Sequence, residues 1–177
     1  MNRNELATYL ATGFCGRDIN EIIVHCTATK PNVRADVATI DGWHKARGFA
    51  RQKGSGHYCG YHFVIAPDGT IERGRLLSEV GAHVAGHNAR SIGVVYAGGL
   101  DNAGKAADTR TLAQKDALMW LLGHLKERWP KAEIKGHRDC SPDTNHNGKV
   151  DRWEWLKECP SFNAKTEYED LWKQVRQ

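Results

Sequence analysis

No stretch of the 177 residues approaches 18 consecutive apolar side chains, so the sequence offers no segment to span a bilayer as a helix. The opening Met1-Asn2-Arg3-Asn4-Glu5-Leu6 lacks an uninterrupted apolar run of seven or more, which argues against a secretory leader and sets the expectation of a protein made in the cytoplasm. Cys15 is not expected to anchor a lipid, because Thr12-Gly13-Phe14 before it lacks the small residue that such processing needs. Charge of one sign is never gathered into a block. The 25 Lys and Arg are spread against 21 Asp and Glu, for a net charge of +4 and a pI near 8.8. This mild basicity suits an anionic polymer and does not demand nucleic acid. Internal repeats and low-complexity linkers are also missing, so the length fits one domain, expected to act as a monomer. A hydrophobic fraction of 40% is enough for an ordinary core.

What is present is a set of short, well-punctuated elements. Residues 1–17 form a weakly helical arm, with Leu6, Tyr9 and Leu10 on one face and Gly13 and Gly16 ending it, and residues 18–177 form the domain on which it docks. Ile19 to Thr27 is a buried strand. Asp36 to Arg47 is an amphipathic helix that presents Val37, Ile40 and Trp43. Tyr61 to Ala66 and Thr70 to Arg75 are strands joined by the turn Pro67-Asp68-Gly69. Ser91 to Ala97 is a further strand. Thr111-Leu112-Ala113-Gln114 has capping-box spacing and opens a helix that Pro130 stops. Glu133 to Gly136 is a short strand and Thr166 to Arg176 a closing helix. Helices and strands intermix, with one hairpin, so the expected class is α/β: a single domain with a central mixed β-sheet flanked by α-helices.

The chemistry concentrates at strand ends. His25 closes the apolar run Ile22-Ile23-Val24, His137 follows the short strand ending at Gly136, and Cys159 lies in the polar segment Lys157-Glu158-Cys159-Pro160. Any one histidine at a strand end is more often structural. Two imidazoles and a thiolate together match the preference of zinc and leave one coordination position open, as in catalytic sites. Between His137 and Cys159, Asp143 to Glu154 fits the D-x-[DN]-x-[DN]-G-x5-E calcium-loop pattern at every constrained position. Its expected ligands are Asp143, Asn145, Asn147 and Glu154, with Lys149 offering its carbonyl and Asp151 acting directly or through water. If Cys159 holds metal, Cys15, Cys26, Cys59 and Cys140 remain, and thiols are expected in a chain without a leader.

In order along the chain, Val24-His25-Cys26-Thr27, Trp43-His44-Lys45, Gly60-Tyr61-His62-Phe63, Asp68-Gly69-Thr70, Val80-Gly81-Ala82-His83, Ser91-Ile92-Gly93-Val94, Gly136-His137-Arg138-Asp139 and Cys159-Pro160-Ser161-Phe162 resemble the zinc-dependent N-acetylmuramoyl-L-alanine amidases shared by phage endolysins and peptidoglycan recognition proteins. The resemblance covers roughly Asn20 to Trp172. It implies a sheet flanked by helices, a shallow groove for glycan and peptide, bacterial peptidoglycan as partner, and zinc on His25, His137 and Cys159. It also implies that Tyr61 and Lys157 stand near the metal, where a phenol or ammonium stabilises the oxyanion and delivers a proton. His83 matches a histidine near the substrate, with Asn88 beside it as a hydrogen-bonding partner for peptide or sugar. The spacing of His83 and His87 imitates a helical metal pair, but Gly81 and Gly86 argue against a helix there. His44, His57, His62, His124 and His146 receive no role.

The calcium loop departs from the shorter connection of simpler family members. A peptidoglycan-binding module without catalysis is the alternative. In this family it goes with loss of the cysteine ligand, and Cys159 is present. A metal-dependent nuclease would need a carboxylate-rich two-metal cluster, and none stands outside the calcium loop. The expected route to the cell wall is release through a separate membrane-permeabilising partner or export by a dedicated machine.

Overall fold

The computed structural model describes residues 2–31 and 33–173. Strands β1 (Glu21–Cys26), β2 (Phe63–Ile65), β3 (Ile71–Arg73), β4 (Ser91–Tyr96) and β5 (Glu133–Gly136) form one sheet in the order β3-β2-β4-β1-β5. β1 runs parallel to both β4 and β5, β2 runs parallel to β4, and β3 pairs antiparallel with β2. Strands covered on both faces tolerate near-continuous apolar sequence, which explains Ile22-Ile23-Val24.

Alternation along the strands divides the core in two. Ile22, Val24 and Cys26 join Phe63, Ile65, Ile92 and Val94 against helix α3 (Leu112–Arg128), through Leu118, Leu121, Leu122 and Leu125. The opposite face carries Val64 and Val95 against helix α2 (Val37–Ala46), through Val37 and Ile40. His25 follows Val24 and so turns to the α2 side. This is the mixed α/β domain read from the sequence.

The caps are those the sequence offers. Thr111 and Gln114 close a reciprocal box at the start of α3, and the buried Gln114 amide donates to the Ala97 carbonyl at 2.9 Å, tying the helix to the end of β4. Asp36 accepts from the Thr39 amide at 2.9 Å at the start of α2. The buried stripe of α2 is Val37, Ile40 and His44. Trp43, expected inside, is 40% exposed, because the next inward position after Ile40 falls one residue later.

Helix α1 (Arg3–Thr12) buries Leu6 and Leu10 in the main core, and the Arg128 guanidinium donates to the Leu10 carbonyl at 2.7 Å. The closing helix differs from expectation. Two short helices, α4 (Ala164–Glu167) and α5 (Asp170–Lys173), flank Tyr168-Glu169, and positions 174–176 lie outside the described residues. The break follows from Arg110, whose buried guanidinium donates to Glu167 at 2.7 Å and to the Tyr168 hydroxyl at 3.1 Å, pulling Tyr168 into the core. Among the described residues no helix is long and apolar enough to cross a membrane.

Leu10 is 1% exposed, so Leu10→Ala is expected to lower the unfolding free energy by about 2–5 kcal/mol, read from urea titration. A loss below about 0.5 kcal/mol, the scale of an ordinary surface substitution, would mean that α1 is a detachable arm.

Candidate metal centre and its groove

The centre begins with strand register. Val24 pairs with Gly136, so one step further along the parallel strands His25 and His137 stand side by side, with ring centroids 4.8 Å apart. Cys159 is brought in by the backbone: the Arg138 amide donates to the Cys159 carbonyl at 2.8 Å, and the Cys26 amide donates to Cys159 Sγ at 3.3 Å. The Tyr96 hydroxyl donates to the Pro160 carbonyl at 2.7 Å and holds the next residue. Gly136 is required by close approach, since a Cβ there would lie 2.5 Å from Pro160 Cδ. The ligand atoms of His25, His137 and Cys159 lie within 4.8 Å of one another, and Cys159 Sγ is 3.9 Å from His25 Nδ1.

This donor set fits zinc: two imidazole nitrogens and one sulfur converge, and all three residues also line an open groove. Burial, aided by the positive charge of Lys157, pushes His137 down to about 4, and burial drives His25 well below the ordinary imidazole range. Both are therefore neutral at pH 7, the form that binds metal. The Cys159 thiol is held well above its usual range by its hydrogen bond with the neighbouring Cys26 thiol and by burial.

His83 completes the support. Its Nδ1 lies 3.0 Å from His25 Nε2, and its Nε2 lies 3.3 Å from Ser91 Oγ. A partner on the remote nitrogen fixes the ring orientation of a metal-ligating imidazole. The His83 ring occupies space left by Gly93, where a Cβ would lie 2.6 Å from its Cδ2. His83 lines the groove, and both of its ring nitrogens are already engaged. Asn88, expected at the peptide or sugar, spends its side-chain oxygen inside the loop, accepting from the His83 and Val84 amides at 2.9 Å each. The carboxamide oxygen braces the loop carrying His83.

The groove encloses about 260 Å³ and is lined in part by Tyr61, His44, Phe49 and Lys157. The Tyr61 ring stands 5.1 Å from His25, and burial raises its phenol, so it stays protonated. Lys157 is exposed and reaches the same groove. His44, given no role from sequence, accepts from the Gly60 amide at 2.8 Å through Nδ1 and stacks on Phe49 at 4.3 Å, so it fixes the backbone entering Tyr61. His62 likewise accepts from the Gly93 amide at 3.0 Å and lies 2.9 Å from the Glu79 carbonyl, bracing β4 beneath His83. The motif Trp43-His44-Lys45 signalled His44, but its partner sixteen residues away did not show in the sequence.

Asp143 to Glu154 forms a loop closed by its own hydrogen bonds. The Asp143 carboxylate accepts from the Gly148 amide at 2.8 Å, Asn145 Oδ1 from the Asn147 amide at 3.0 Å, and Asn147 Oδ1 from the Lys149 amide at 2.9 Å. Asp151 accepts from the Asn147 carboxamide at 2.8 Å. Glu154 accepts from the Thr144 hydroxyl and from the amides of Asp151, Thr144 and Asn145, which hold its carboxyl down to about 2. The loop is pinned at its base, where the Leu156 amide donates to Ser141 Oγ at 3.1 Å and Arg138 stacks over Trp155 at 4.0 Å.

A mixed sheet flanked by helices, with a His-His-Cys group beside a groove where two parallel strands end, is an α/β scaffold carrying a candidate metal site of the kind hydrolases use. Residues 16–160 match the family model described as N-acetylmuramoyl-L-alanine amidase, and the chain belongs to that family. It is 38% identical to the endolysin of Enterobacteria phage K11, over 77% of this chain and 86% of that one. Among solved structures it is similar to the endolysin N-acetylmuramoyl-L-alanine amidase LysCS from Clostridium intestinale, with 28% identity, a TM-score of 0.63 and coverage of 90% and 85% of the two chains. Drosophila PGRP-LB shares the fold, at 22% identity and a TM-score of 0.61, over 86% of this chain and 81% of that one.

Burial holds His44 down to about 4 and His62 to about 3, whereas an unfolded imidazole titrates near 6.5. The folded protein keeps both neutral while the unfolded chain takes up protons, so stability present above pH 6.5 is lost as pH falls. At pH 5 each contributes a loss of about 2 kcal/mol. Urea midpoints at pH 7 and pH 5 are expected to show this fall, and His62→Gln to show a shallower one. An unchanged pH slope in the variant would refute the assignment.

Proposed function

We propose that the protein is a zinc-dependent N-acetylmuramoyl-L-alanine amidase that hydrolyses the bond between the lactyl group of muramic acid and L-alanine in peptidoglycan stem peptides. The observation that carries this reading is the convergence of His25, His137 and Cys159 in the groove of a chain that belongs to the amidase family. These three residues would hold zinc, which when bound polarises a carbonyl and acidifies water.

The remaining chemistry is assigned to side chains. His25 and His137 are neutral because they are buried, so no proton competes for their nitrogens. His83 keeps the Nδ1 of His25 turned toward Cys159 by holding the opposite nitrogen. Amide hydrolysis builds negative charge on the carbonyl oxygen. Tyr61, whose phenol burial keeps protonated, and Lys157 jointly donate to that oxygen and supply the proton that the departing amine needs. Preorganised donors in a partly dry groove act more strongly than the same groups in water. The substrate polymer is met at the cell wall after release or export.

Incubation with purified peptidoglycan is expected to release stem peptides with a free L-alanine amine, detected by mass spectrometry. Cys159→Ala and zinc chelation are expected to abolish release, and Tyr61→Phe or Lys157→Met to lower kcat by about 10²–10³-fold. Sedimentation with the wall and no new amine would identify a binding module instead.

We also propose that Asp143 to Glu154 binds calcium, on the strength of its sequence pattern. Glu154 would exchange its amide partners for the cation, and Asp143, Asn145, Asn147, Lys149 and Asp151 would supply the other oxygens. Calorimetric titration of the zinc-loaded protein is expected to show one calcium site lost in Glu154→Gln. No heat of binding at millimolar calcium would sink the idea.

A further inference from the structure

The chemistry assigned above uses Cys159 and leaves Cys26 without a task, although Cys26 also lines the groove. Cys26 is the last residue of β1 and adjoins the candidate ligand His25. Its backbone amide lies 3.3 Å from Cys159 Sγ and its carbonyl oxygen 3.9 Å from the same sulfur, so Cys159 lies across the end of the strand. The two thiols share a hydrogen bond.

The surroundings of Cys26 hold its sulfur in that place. Gly99 leaves the space for it, since a side chain there would collide with Cys26 Sγ. Ser161 Oγ stands 3.8 Å from the sulfur and is itself fixed, because that hydroxyl donates to the Gly99 carbonyl at 2.9 Å. The other cysteines spend their thiols on the backbone: Cys15 donates to the Leu77 carbonyl at 3.3 Å, Cys59 to the Tyr61 carbonyl at 3.7 Å and Cys140 to the Gly136 carbonyl at 3.9 Å. Among the described residues, Cys26 and Cys159 are the two thiols that line the groove.

Cysteines whose side chains point apart cannot be bridged without moving the backbone, whereas these two already meet. A thiolate is both the nucleophile of disulfide exchange and the form that ligates metal, so the two fates of Cys159 exclude each other. We propose that Cys26 and Cys159 form a redox pair that competes with zinc: in the zinc-free chain a small disulfide oxidant joins the two sulfurs and removes Cys159 from the ligand set, while a zinc-bound Cys159 is shielded from it. This rests on the reading of Cys159 as a zinc ligand and adds a modification site to it. With glutathione disulfide as the oxidant, the thiolate of one cysteine attacks a glutathione sulfur and releases one glutathione thiolate; the partner cysteine then attacks the mixed disulfide and releases the second. Two protein thiols are oxidised by two electrons, one glutathione disulfide is reduced to two glutathiones, and the two cysteine protons end on them. A chain made where thiols stay reduced and acting at the cell wall passes into surroundings where disulfides persist, so zinc taken up first preserves the centre and a zinc-free chain is locked.

The test uses the full chain, reduced and freed of zinc by a chelator, beside the same chain loaded with zinc. After glutathione disulfide is added to each, mass spectrometry is expected to find the zinc-free chain lighter by two hydrogens, with Cys26 and Cys159 in one linked peptide pair after proteolysis. The zinc-loaded chain should form the link at least about tenfold more slowly, because its Cys159 thiolate is engaged. Zinc affinity of the linked chain should fall by more than about 100-fold, since loss of a supporting partner alone costs about 10–100-fold, and dithiothreitol should restore it. Cys26→Ser is expected to stop at a mixed disulfide of glutathione on Cys159, and Cys140→Ser to form the link as wild type does. Urea midpoints of the reduced variants establish that the fold is retained. A wild type that yields no link between Cys26 and Cys159, a link formed equally fast with zinc bound, or a linked chain that binds zinc as well as the reduced one overturns the proposal. Stem-peptide release by the reduced, zinc-loaded chain tests the amidase reading separately, since the link and the zinc affinity decide this inference whether or not peptidoglycan is cleaved.

Discussion

Everything at the centre depends on the parallel pairing of β1 with β5. Two strands running the same way end at the same edge of the sheet, and the register that sets Val24 against Gly136 delivers His25 and His137 to one level. Parallel partners need a long crossover, and here the chain passes through α2, the hairpin, β4 and α3 before β5 returns beside β1. The pairing of these two candidate ligands is therefore a product of the whole fold. A one-residue slip would turn the two candidate ligands away from each other, because it moves every side chain of the strand to the opposite face.

Burial does two jobs at this edge. It keeps the imidazoles in the neutral form that ligation requires, and it makes each remote ring nitrogen costly to leave without a partner. The second demand is met through chains of neighbours: His25 on His83, His83 on Ser91, and His44 and His62 on the amides of Gly60 and Gly93. Glycine opens the space for this packing, because side chains at Gly93 and Gly136 would collide with His83 and Pro160. The cost is acid sensitivity, since protonation of the unfolded chain below pH 6.5 finds no counterpart in the folded one.

How much of this was legible in the sequence follows from the range of each interaction. The strands announced themselves through local apolar runs, α3 through the Thr111 and Gln114 box, and the hairpin through Pro67-Asp68-Gly69, all signals confined to a few residues. The three candidate ligands are legible because two histidines at strand ends and a cysteine in a polar loop are residue types that converge on one chemistry. The role of His44 has no local signal because its partner, Gly60, lies sixteen residues away, and the contact of His83 with His25 spans 58 residues. The break in the closing helix has no local signal, because Arg110, 57 residues before Glu167, imposes it from outside. The bond from the His83 amide to the Asn88 side-chain oxygen is a backbone contact that residue types alone do not announce.

The loop from Asp143 to Glu154 poses a different physical question, which is what holds Lys157 and Cys159 in place. The chain leaves the centre after Cys140 and returns at Leu156, and the two ends of this excursion are joined by the Ser141 hydrogen bond and by the stack of Arg138 on Trp155. Arg138 adjoins His137, so the stack couples one candidate ligand directly to the stretch of chain that carries another. Inside the loop, Glu154 already satisfies four donors and is ionised far below neutral pH. A cation entering there would therefore have to replace hydrogen bonds already made, and its net effect on the centre would be the difference between two closed loops. Closure alone does not require it, because the pins at the base act on residues outside the ligand set. The position of Lys157 thus follows first from the base of the loop, and any ion acts on it only through a change in how Glu154 draws Thr144, Asn145 and Asp151 together.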